Sequence, residues 1–432
     1  MRSLLSVVTL LALGWSMVQP SMAQPPDIDR WSGSTAITPA QGYGMGNPLT
    51  LTWGIVPDGT SIPGFNIGPA GNSNLIARMD TIYGSGPGGT DLTLRPWFNL
   101  YQSVFDRWSS ISGLSYIYEP NDNGVAFSSN DTASTRGVVG VRPDVRIGGR
   151  TIDGNGGVLA FNFFPNVGDM VIDTNDNTYN NTSNNSRTLR NILAHEHGHG
   201  VGMSHVITNN SSQLMNPSLN TAFDGPQYHD ILMAHRGYGD FNEKSFGGLG
   251  NDVAARATSL GPIADGGSVS IGNSARTFVV APTATDFVSI DHSNDTDFYS
   301  FSVNSPGEVN ILLEALGFTY NTAPQFGGQT IAFNTLTRSN LILALFDTDG
   351  TTQLAIANST SFGGNESIVF DLNGAGTYFI RVTGINNPDA VAIKTQFYAL
   401  TASFTAIPEP SAGLIIAFAA VFGLIRRNRK AA

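Results

Sequence analysis

The chain has 432 residues, of which 41% are hydrophobic and 13% are charged, with a formal net charge of −11 and no cysteine. This length predicts two or three domains with cores of their own. The negative charge, with Lys and Arg clustered only at the extreme termini, argues against nucleic acid as a partner. The lack of cysteine excludes disulfides, although a chain of this size does not need them for export.

The N-terminus has the pattern of a secretory signal peptide. Arg2 precedes an apolar run over residues 4–15, and Ser21 and Ala23 supply small residues at positions −3 and −1 of a cleavage site. The run is short for a membrane anchor. Residues 1–23 are therefore predicted to be a signal peptide, followed by an N-terminal segment over residues 24–44.

The next elements alternate between strands and a helix. Residues 49–56 alternate apolar and polar side chains like a strand, and large apolar residues recur at helical spacing from Trp97 to Trp108. Residues 114–118 and 145–147 are predicted as further strands. This order indicates an α+β domain.

A glycine-rich bend follows, with three carboxylates around it. Asp153 precedes the bend at residues 154–157, and Asp173 and Asp176 lie downstream. Carboxylates and backbone carbonyls are the ligands that Ca²⁺ prefers, and an Asn/Gly-rich turn without metal is the open alternative. Residues 174–186 are nearly all Asn, Thr, Ser and Asp, which predicts a solvated loop.

The histidines are concentrated at residues 195–205, which hold four of the seven and read H-E-x-x-H-x-x-G-x-x-H. His195 and His199 lie one turn apart on one face of a helix. Gly202 can take the positive φ that ends the helix and lets the chain return with His205. Three neutral imidazoles would hold a zinc ion and leave its fourth position open, as a catalytic zinc requires.

Glu196 is the predicted catalytic residue. It lies about 100° further round the helix than His195, close to the metal but outside its ligands. It can therefore act as general base toward an attacking water and then as general acid toward the departing amine. An ordinary exposed helix would explain H-E-x-x-H alone, but not the added Gly202 and His205. His197 faces away and is predicted to be a surface or packing residue.

The extended motif resembles the metzincin zinc peptidases, and Met215 before Asn216 and Pro217 resembles their Met-turn. Met215 is expected to pack beneath the metal rather than bind it. The lack of a nearby following Tyr favours the matrixin subgroup. The resemblance implies a metzincin-like catalytic domain over residues 45–245, built from a mixed twisted sheet with long helices.

The matrixin resemblance also bears on further metals. It implies that Asp153, Asp173 and Asp176 hold a structural calcium. Matrixins commonly hold a second zinc through histidines at positions that here are residues 160–162 and near Val171, where this chain is mainly apolar. We therefore expect no structural zinc and a patch of packed hydrophobic residues in its place.

The C-terminal half reads as an all-β sandwich after a linker at residues 246–267. Between residues 268 and 406, alternating strands are separated by turn residues at sandwich-like intervals. Residues 295–299 and 376–382 resemble the bacterial pre-peptidase C-terminal domain. Asp295 and Asp297 are candidates for calcium, with a solvated turn as the open alternative. The predicted strands cover residues 298–303, 309–313, 341–346 and 377–382.

Residues 407–432 form a tripartite tail. Pro408-Glu409-Pro410 precedes an apolar segment at residues 412–425, which four basic residues follow. The segment is short of the roughly 20 residues that a spanning helix prefers. The tail resembles the PEP-CTERM sorting signal of Gram-negative bacteria, which implies transient membrane contact and removal by an exosortase-type peptidase. A permanent tail anchor is the alternative.

Together these features predict a secreted or cell-surface zinc endopeptidase of a Gram-negative bacterium. Its substrate would be an extended polypeptide that adds to the edge strand near residues 161–164. One alternative is an exported surface or matrix binding protein with a vestigial peptidase unit, and another is an enzyme that processes only its own precursor. The intact Glu196 argues against a vestigial site.

Overall fold

The computed structural model describes residues 9–13, 27–208, 211–324, 330–390 and 393–407. Most of the predicted signal peptide and the predicted sorting tail from residue 408 onward lie outside the described residues. The helices described there are all too short or too polar to cross a bilayer.

The first domain is built around a mixed six-stranded sheet. Its order is β1-β7-β8-β6-β2-β5, and every neighbouring pair is parallel except β7 and β8. The predicted strands at residues 49–56, 114–118 and 145–147 are confirmed, and the last of them runs on to Arg150. The strands of this domain are β1 (Thr9–Leu13), β2 (Leu49–Ile55), β3 (Ser61–Ile62), β4 (Gly71–Asn72), β5 (Leu114–Tyr118), β6 (Val145–Arg150), β7 (Val158–Phe163), β8 (Met170–Asp173) and β9 (Val206–Thr208).

Among the described residues, the longer helices that accompany the sheet are α1 (Leu75–Tyr83), α2 (Phe98–Ser110), α3 (Ser183–Gly200) and α4 (Tyr228–Tyr238), and a single distorted turn, α5 (Ser245–Gly248), follows them. The predicted first long helix is α2, and its buried face packs on α3, where the Trp108 indole donates to the carbonyl of Ala194 at 3.2 Å. The prediction of a solvated loop at residues 174–186 is wrong at Tyr179. That side chain is fully buried and donates to the carbonyl of Leu159 at 2.6 Å.

A hydrophobic cluster lies on the outer part of this sheet. Phe161, Phe163 and Val171 are buried there together with Ile62 and Phe127. These are the positions near which matrixins commonly place histidines for a second zinc, and the predicted packed patch is confirmed.

The second domain is a sandwich of two sheets. One has the order β10-β13-β20-β17-β18, and the other has the order β11-β21-β14-β19 with β12 paired to β21. All four predicted strands are present. The predicted linker at residues 246–267 contains β10, which belongs to the first of these sheets. The strands are β10 (Thr258–Pro262), β11 (Ser268–Ile271), β12 (Val288–Ile290), β13 (Thr296–Val303), β14 (Gly307–Leu316), β15 (Thr319–Pro324), β16 (Ile331–Asn334), β17 (Ser339–Phe346), β18 (Gln353–Ala357), β19 (Glu366–Leu372), β20 (Gly376–Asn386) and β21 (Gln396–Ala406).

The β15–β16 pair of the second domain reaches across to the first. It forms a three-stranded sheet of order β16-β15-β9, in which Thr322 pairs with Thr208 and Ala323 pairs with Ile207. The short strand that directly follows His205 is therefore completed by the second domain.

Helix α4 is packed against the second domain along one face. The Tyr228 ring lies 4.9 Å from the ring of Phe318 and 5.3 Å from that of Phe397, and its hydroxyl lies 3.0 Å from that of Thr335. Tyr228, Phe333 and Phe397 belong to one buried cluster that also contains Leu193 and Met215. The two domains thus share a hydrophobic core.

His235 on α4 is a buried group at this junction. Its Nε2 donates to the carbonyl of Ile111 at 2.8 Å, and its Nδ1 lies 2.8 Å from the hydroxyl of Ser289 in the second domain. Burial lowers the pKa of His235 to about 4. The unfolded chain takes up this proton near pH 6.5, so the stability present above that pH is lost as the pH falls toward 4.

We expect His235→Gln to reduce the acid sensitivity of folding. Glutamine retains an amide donor for Ile111 but does not titrate. Between about pH 7.5 and pH 4.5, the variant should lose about 2 kcal/mol less unfolding free energy than the wild type. Urea unfolding of chelator-treated protein at both pH values measures this difference. An identical loss in both proteins would show that His235 does not titrate in this way.

Candidate metal centre

The predicted zinc ligands converge at one point. His195 and His199 lie on the last turns of α3, and the Nε2 atom of each lies 3.0 Å from Nε2 of His205. All three side chains are buried. Nitrogen ligands at about 2.0–2.1 Å around one tetrahedral zinc would lie about 3.4 Å apart. The triad therefore needs only a slight expansion to hold that ion.

The chain reverses after α3 because of Gly202. Its φ is +104°, and a Cβ added there would lie 1.3 Å from the carbonyl oxygen of Asp29. The predicted role of Gly202 in bringing His205 back is confirmed by this geometry. Trp31 buttresses the same turn, since its indole donates to the carbonyl of Gly200 at 2.9 Å.

The ring nitrogens that face away from the centre are held by backbone carbonyls. His195 Nδ1 lies 2.6 Å from the carbonyl oxygen of Leu214, and His199 Nδ1 lies 2.7 Å from that of Met203. A carbonyl can only accept, so Nδ1 carries the proton and Nε2 presents its lone pair. Burial, followed by the charge of His205, lowers the pKa of both histidines well below the ordinary value. They therefore stay neutral, as metal ligands must.

Glu196 is completely buried beside this triad. Neither of its carboxylate oxygens has a hydrogen-bond partner among the described residues. Burial alone raises the pKa of Glu196 well above its ordinary value. A buried carboxylate without partners is costly, which is the condition expected of a group whose partners are a water and a nearby cation.

Met215 packs directly under the triad helix. A Cβ added at Gly198, between the two helical ligands, would lie 2.3 Å from the Met215 sulfur. Met215 is buried, and its sulfur lies against the helix between the two ligands, which is the packed position expected of it. The need for Gly198 at this contact was not predicted.

Asp230 on α4 fixes the Met-turn and was also not predicted. Its carboxylate accepts from the amides of Leu214 at 2.7 Å, Met215 at 3.1 Å and Gln227 at 2.8 Å. Burial raises the pKa of Asp230 to about 6, although these hydrogen bonds act to lower it. Because Leu214 also holds His195, Asp230 positions a ligand through one intervening residue. The Gln-x-x-Asp spacing of a helix cap at residues 227–230 was the available signal.

His197 takes no part in the metal centre. Its Nε2 lies 2.6 Å from the Tyr116 hydroxyl, and its ring is fully buried against Phe105. Burial lowers its pKa to about 3. Of the two predicted roles, packing is the one observed.

The predicted calcium loop gathers its three carboxylates around the glycine-rich bend. Asp173 accepts from the amides of Asp153 and Gly154 at 3.1 and 2.9 Å, and Asp176 accepts from Gly156 at 2.8 Å. Asp153 itself accepts from Val158. Among the described residues, these three do not form a group with all ligand oxygens within 4.8 Å of one another. In this arrangement the carboxylates bind backbone amides.

The fold and the site define a class of protein. The site consists of a helix with two histidines, a tight turn with a third, and a buried carboxylate next to the first, which is the arrangement used by metal-dependent peptidases. A family model described as Matrixin matches residues 98–232, and one described as bacterial pre-peptidase C-terminal domain matches residues 295–384. The chain thus contains a matrixin domain followed by a pre-peptidase C-terminal domain.

One curated relative is similar to part of the chain. The hatching enzyme of Paracentrotus lividus is 31% identical over 106 residues, which are 24% of this chain and 16% of that protein. The match therefore spans less than a fifth of the relative's length.

Two solved structures are similar to about a third of the chain. The pre-peptidase C-terminal domain of a collagenase from Bacillus anthracis is 14% identical, with a TM-score of 0.20, over 34% of this chain and 94% of that one. The g-type lysozyme inhibitor PliG of Aeromonas hydrophila is 12% identical, with a TM-score of 0.18, over 34% and 97%. With TM-scores this low, neither similarity bears on fold or function.

Proposed function

We propose that this protein is a secreted zinc-dependent endopeptidase. The observation that carries the proposal is the convergence of three buried imidazoles, with Nε2 of His195 and of His199 each 3.0 Å from Nε2 of His205, next to the buried and unpartnered carboxylate of Glu196. When bound at His195, His199 and His205, zinc would acidify a water ligand and polarise a peptide carbonyl. The matrixin domain and the similarity to the hatching enzyme both support this activity.

The chain's own residues then perform three tasks. The carbonyls of Leu214 and Met203 hold two imidazoles in the tautomer that presents Nε2 inward. Glu196 accepts the proton of the attacking water and donates it to the departing amine. A divalent charge at the adjacent triad favours the ionised form of Glu196, which links its action as a base to the presence of metal.

The substrate of this proposal is an extended polypeptide that adds to the outer edge of β7. Support comes from β1, which pairs with this edge in parallel at Leu11–Phe161 and Leu13–Phe163. The edge therefore offers its amides and carbonyls to an added strand. Because β1 lies within the predicted signal peptide, removal of residues 1–23 would free the edge for substrate.

Three finer assignments belong to the same proposal. Calcium at Asp153, Asp173 and Asp176 is supported by the gathering of these carboxylates on one glycine-rich loop. Export is supported by the apolar leader and by the tripartite tail that an exosortase-type peptidase would remove. Retention of Glu196 beside an assembled triad disfavours a purely binding role.

The proposal is tested with purified residues 24–407. We expect one zinc per chain by elemental analysis and cleavage of casein or gelatin, with activity lost to a chelator and restored by zinc. Zinc-loaded protein that cleaves none of many unfolded substrates would contradict a general endopeptidase. Concentration-independent cleavage confined to the chain itself would instead support an enzyme that processes only its own precursor.

A further inference from the structure

A second cluster of metal-ligating groups lies where the two domains meet. Glu243 follows α4, Asp252 lies in the connecting segment, and Asp295 lies between β12 and β13 of the sandwich. Their ligand oxygens all lie within 4.8 Å of one another. Glu243 and Asp295 are each 6% exposed. The cluster therefore combines buried carboxylates from both sides of the junction.

Two further carboxylates lie beside this group. Asp291 and Asp297 are buried beside it, at 1% and 0% exposure. In the described part of the chain, no Lys or Arg forms an ion pair with Glu243, Asp252, Asp295 or Asp297. These four carboxylates are thus not compensated by a direct ion pair with Lys or Arg.

The nearby basic groups are engaged elsewhere. Arg236 pairs with Asp27 at 3.0 Å, and Arg256 donates to the carbonyl of Gly250 at 3.0 Å. Lys244 donates to the carbonyl of Leu114 at 3.1 Å. His292, in contrast, pairs with Asp291 of the cluster and offsets one of its carboxylates.

Two buried oxygens at the junction also lack hydrogen bonds. Among the described residues, no donor reaches Oδ1 of Asp297 or the amide oxygen of Asn251. Burial and the charges of Asp240, Asp297, Asp291 and Asp252 raise the pKa of Glu243 to about 11. Buried polar atoms are almost always satisfied in proteins, so two unpartnered oxygens next to a cluster of carboxylates indicate a bound cation.

We propose that Glu243, Asp252 and Asp295 hold a Ca²⁺ ion at this junction, with Asp297 and Asn251 as nearby oxygen donors. All of these donors are oxygens, and Ca²⁺ takes six to eight oxygen ligands in flexible geometry, whereas zinc prefers nitrogen and sulfur. The ion neutralises charge contributed by both domains. It therefore fastens the segment after α4 to the sandwich, independently of the catalytic zinc.

The test uses the full-length, zinc-loaded chain and the double variant Glu243→Gln/Asp295→Asn. The matched control is Asp176→Asn, which alters the other predicted calcium loop and leaves the junction intact. We expect Ca²⁺ to raise Tm of the wild type and the control by several degrees, through preferential binding to the folded state. The rise in Tm caused by Ca²⁺ should be at least tenfold smaller in the double variant. By native mass spectrometry, the double variant should carry one Ca²⁺ fewer than the wild type.

The calcium-free state supplies a second measurement. Removal of two carboxylates relieves repulsion, so the double variant without calcium should melt above the calcium-free wild type. A double variant that responds to Ca²⁺ as the wild type does would overturn the proposal, as would a wild type that Mg²⁺ stabilises equally well. If the double variant does not fold, the half-buried Asp252→Asn alone should show the same loss of calcium response.

Discussion

Glu196→Gln is expected to retain zinc and to lower kcat by roughly 10²–10⁴-fold. Glutamine has nearly the same shape, so the buried space beside the triad is preserved, but an amide cannot accept the proton of the attacking water. Backbone carbonyls, rather than Glu196, orient the imidazoles of His195 and His199. Casein cleavage and zinc content, measured on the same preparation, separate catalysis from metal binding.

His197→Gln provides a matched control one residue further along α3. His197 is equally buried but faces Tyr116 and Phe105 rather than the triad, and its variant should keep zinc and most of the activity. Loss of zinc from Glu196→Gln would give that residue a structural role. Retention of more than about a tenth of the activity would remove it as the general base.

Ending the chain after Lys244 is expected to prevent the matrixin domain from folding. The truncation removes the rings that cover Tyr228 and the strand that pairs with β9. Each large apolar side chain that is uncovered costs about 1.5–3 kcal/mol, against a total stability of about 5–15 kcal/mol for a domain. Soluble yield, near-ultraviolet circular dichroism and zinc content of residues 24–244 measure the outcome.

The matched control is residues 24–407, which lacks the predicted sorting tail and retains both domains. This form should fold, bind zinc and melt cooperatively. If residues 24–244 bind zinc and melt within a few degrees of the longer form, the shared core is dispensable and the inference is wrong.

The metal centre could be predicted because its ligands are close in sequence. The spacing of His195 and His199 fixes a common helix face, and Gly202 permits the turn that returns His205, so local geometry was sufficient. The main strands and α2 were also visible from apolar periodicity. Met215 was placed by its resemblance to a known turn rather than by periodicity.

The features that were missed depend on contacts distant in sequence. The strand at residues 319–324 was not predicted, and nothing in its local sequence indicates that Thr322 pairs with Thr208 of the first domain. Likewise, Gly198 is required only because the Met215 sulfur lies against it. Tyr179 sits in a polar stretch and reads as solvated, although it is buried beneath Leu159. In each case a tertiary contact decides the structure.

The sheet of β16, β15 and β9 has a consequence for how such proteins change over evolutionary time. The boundary near residue 245 separates two family profiles, yet Tyr228 on one side is covered by Phe318 and Phe397 on the other. A recombination event that exchanged the sandwich for another would leave this aromatic face bare unless the donor carried matching rings. The two domains are therefore expected to have evolved together, without separate exchange of the sandwich.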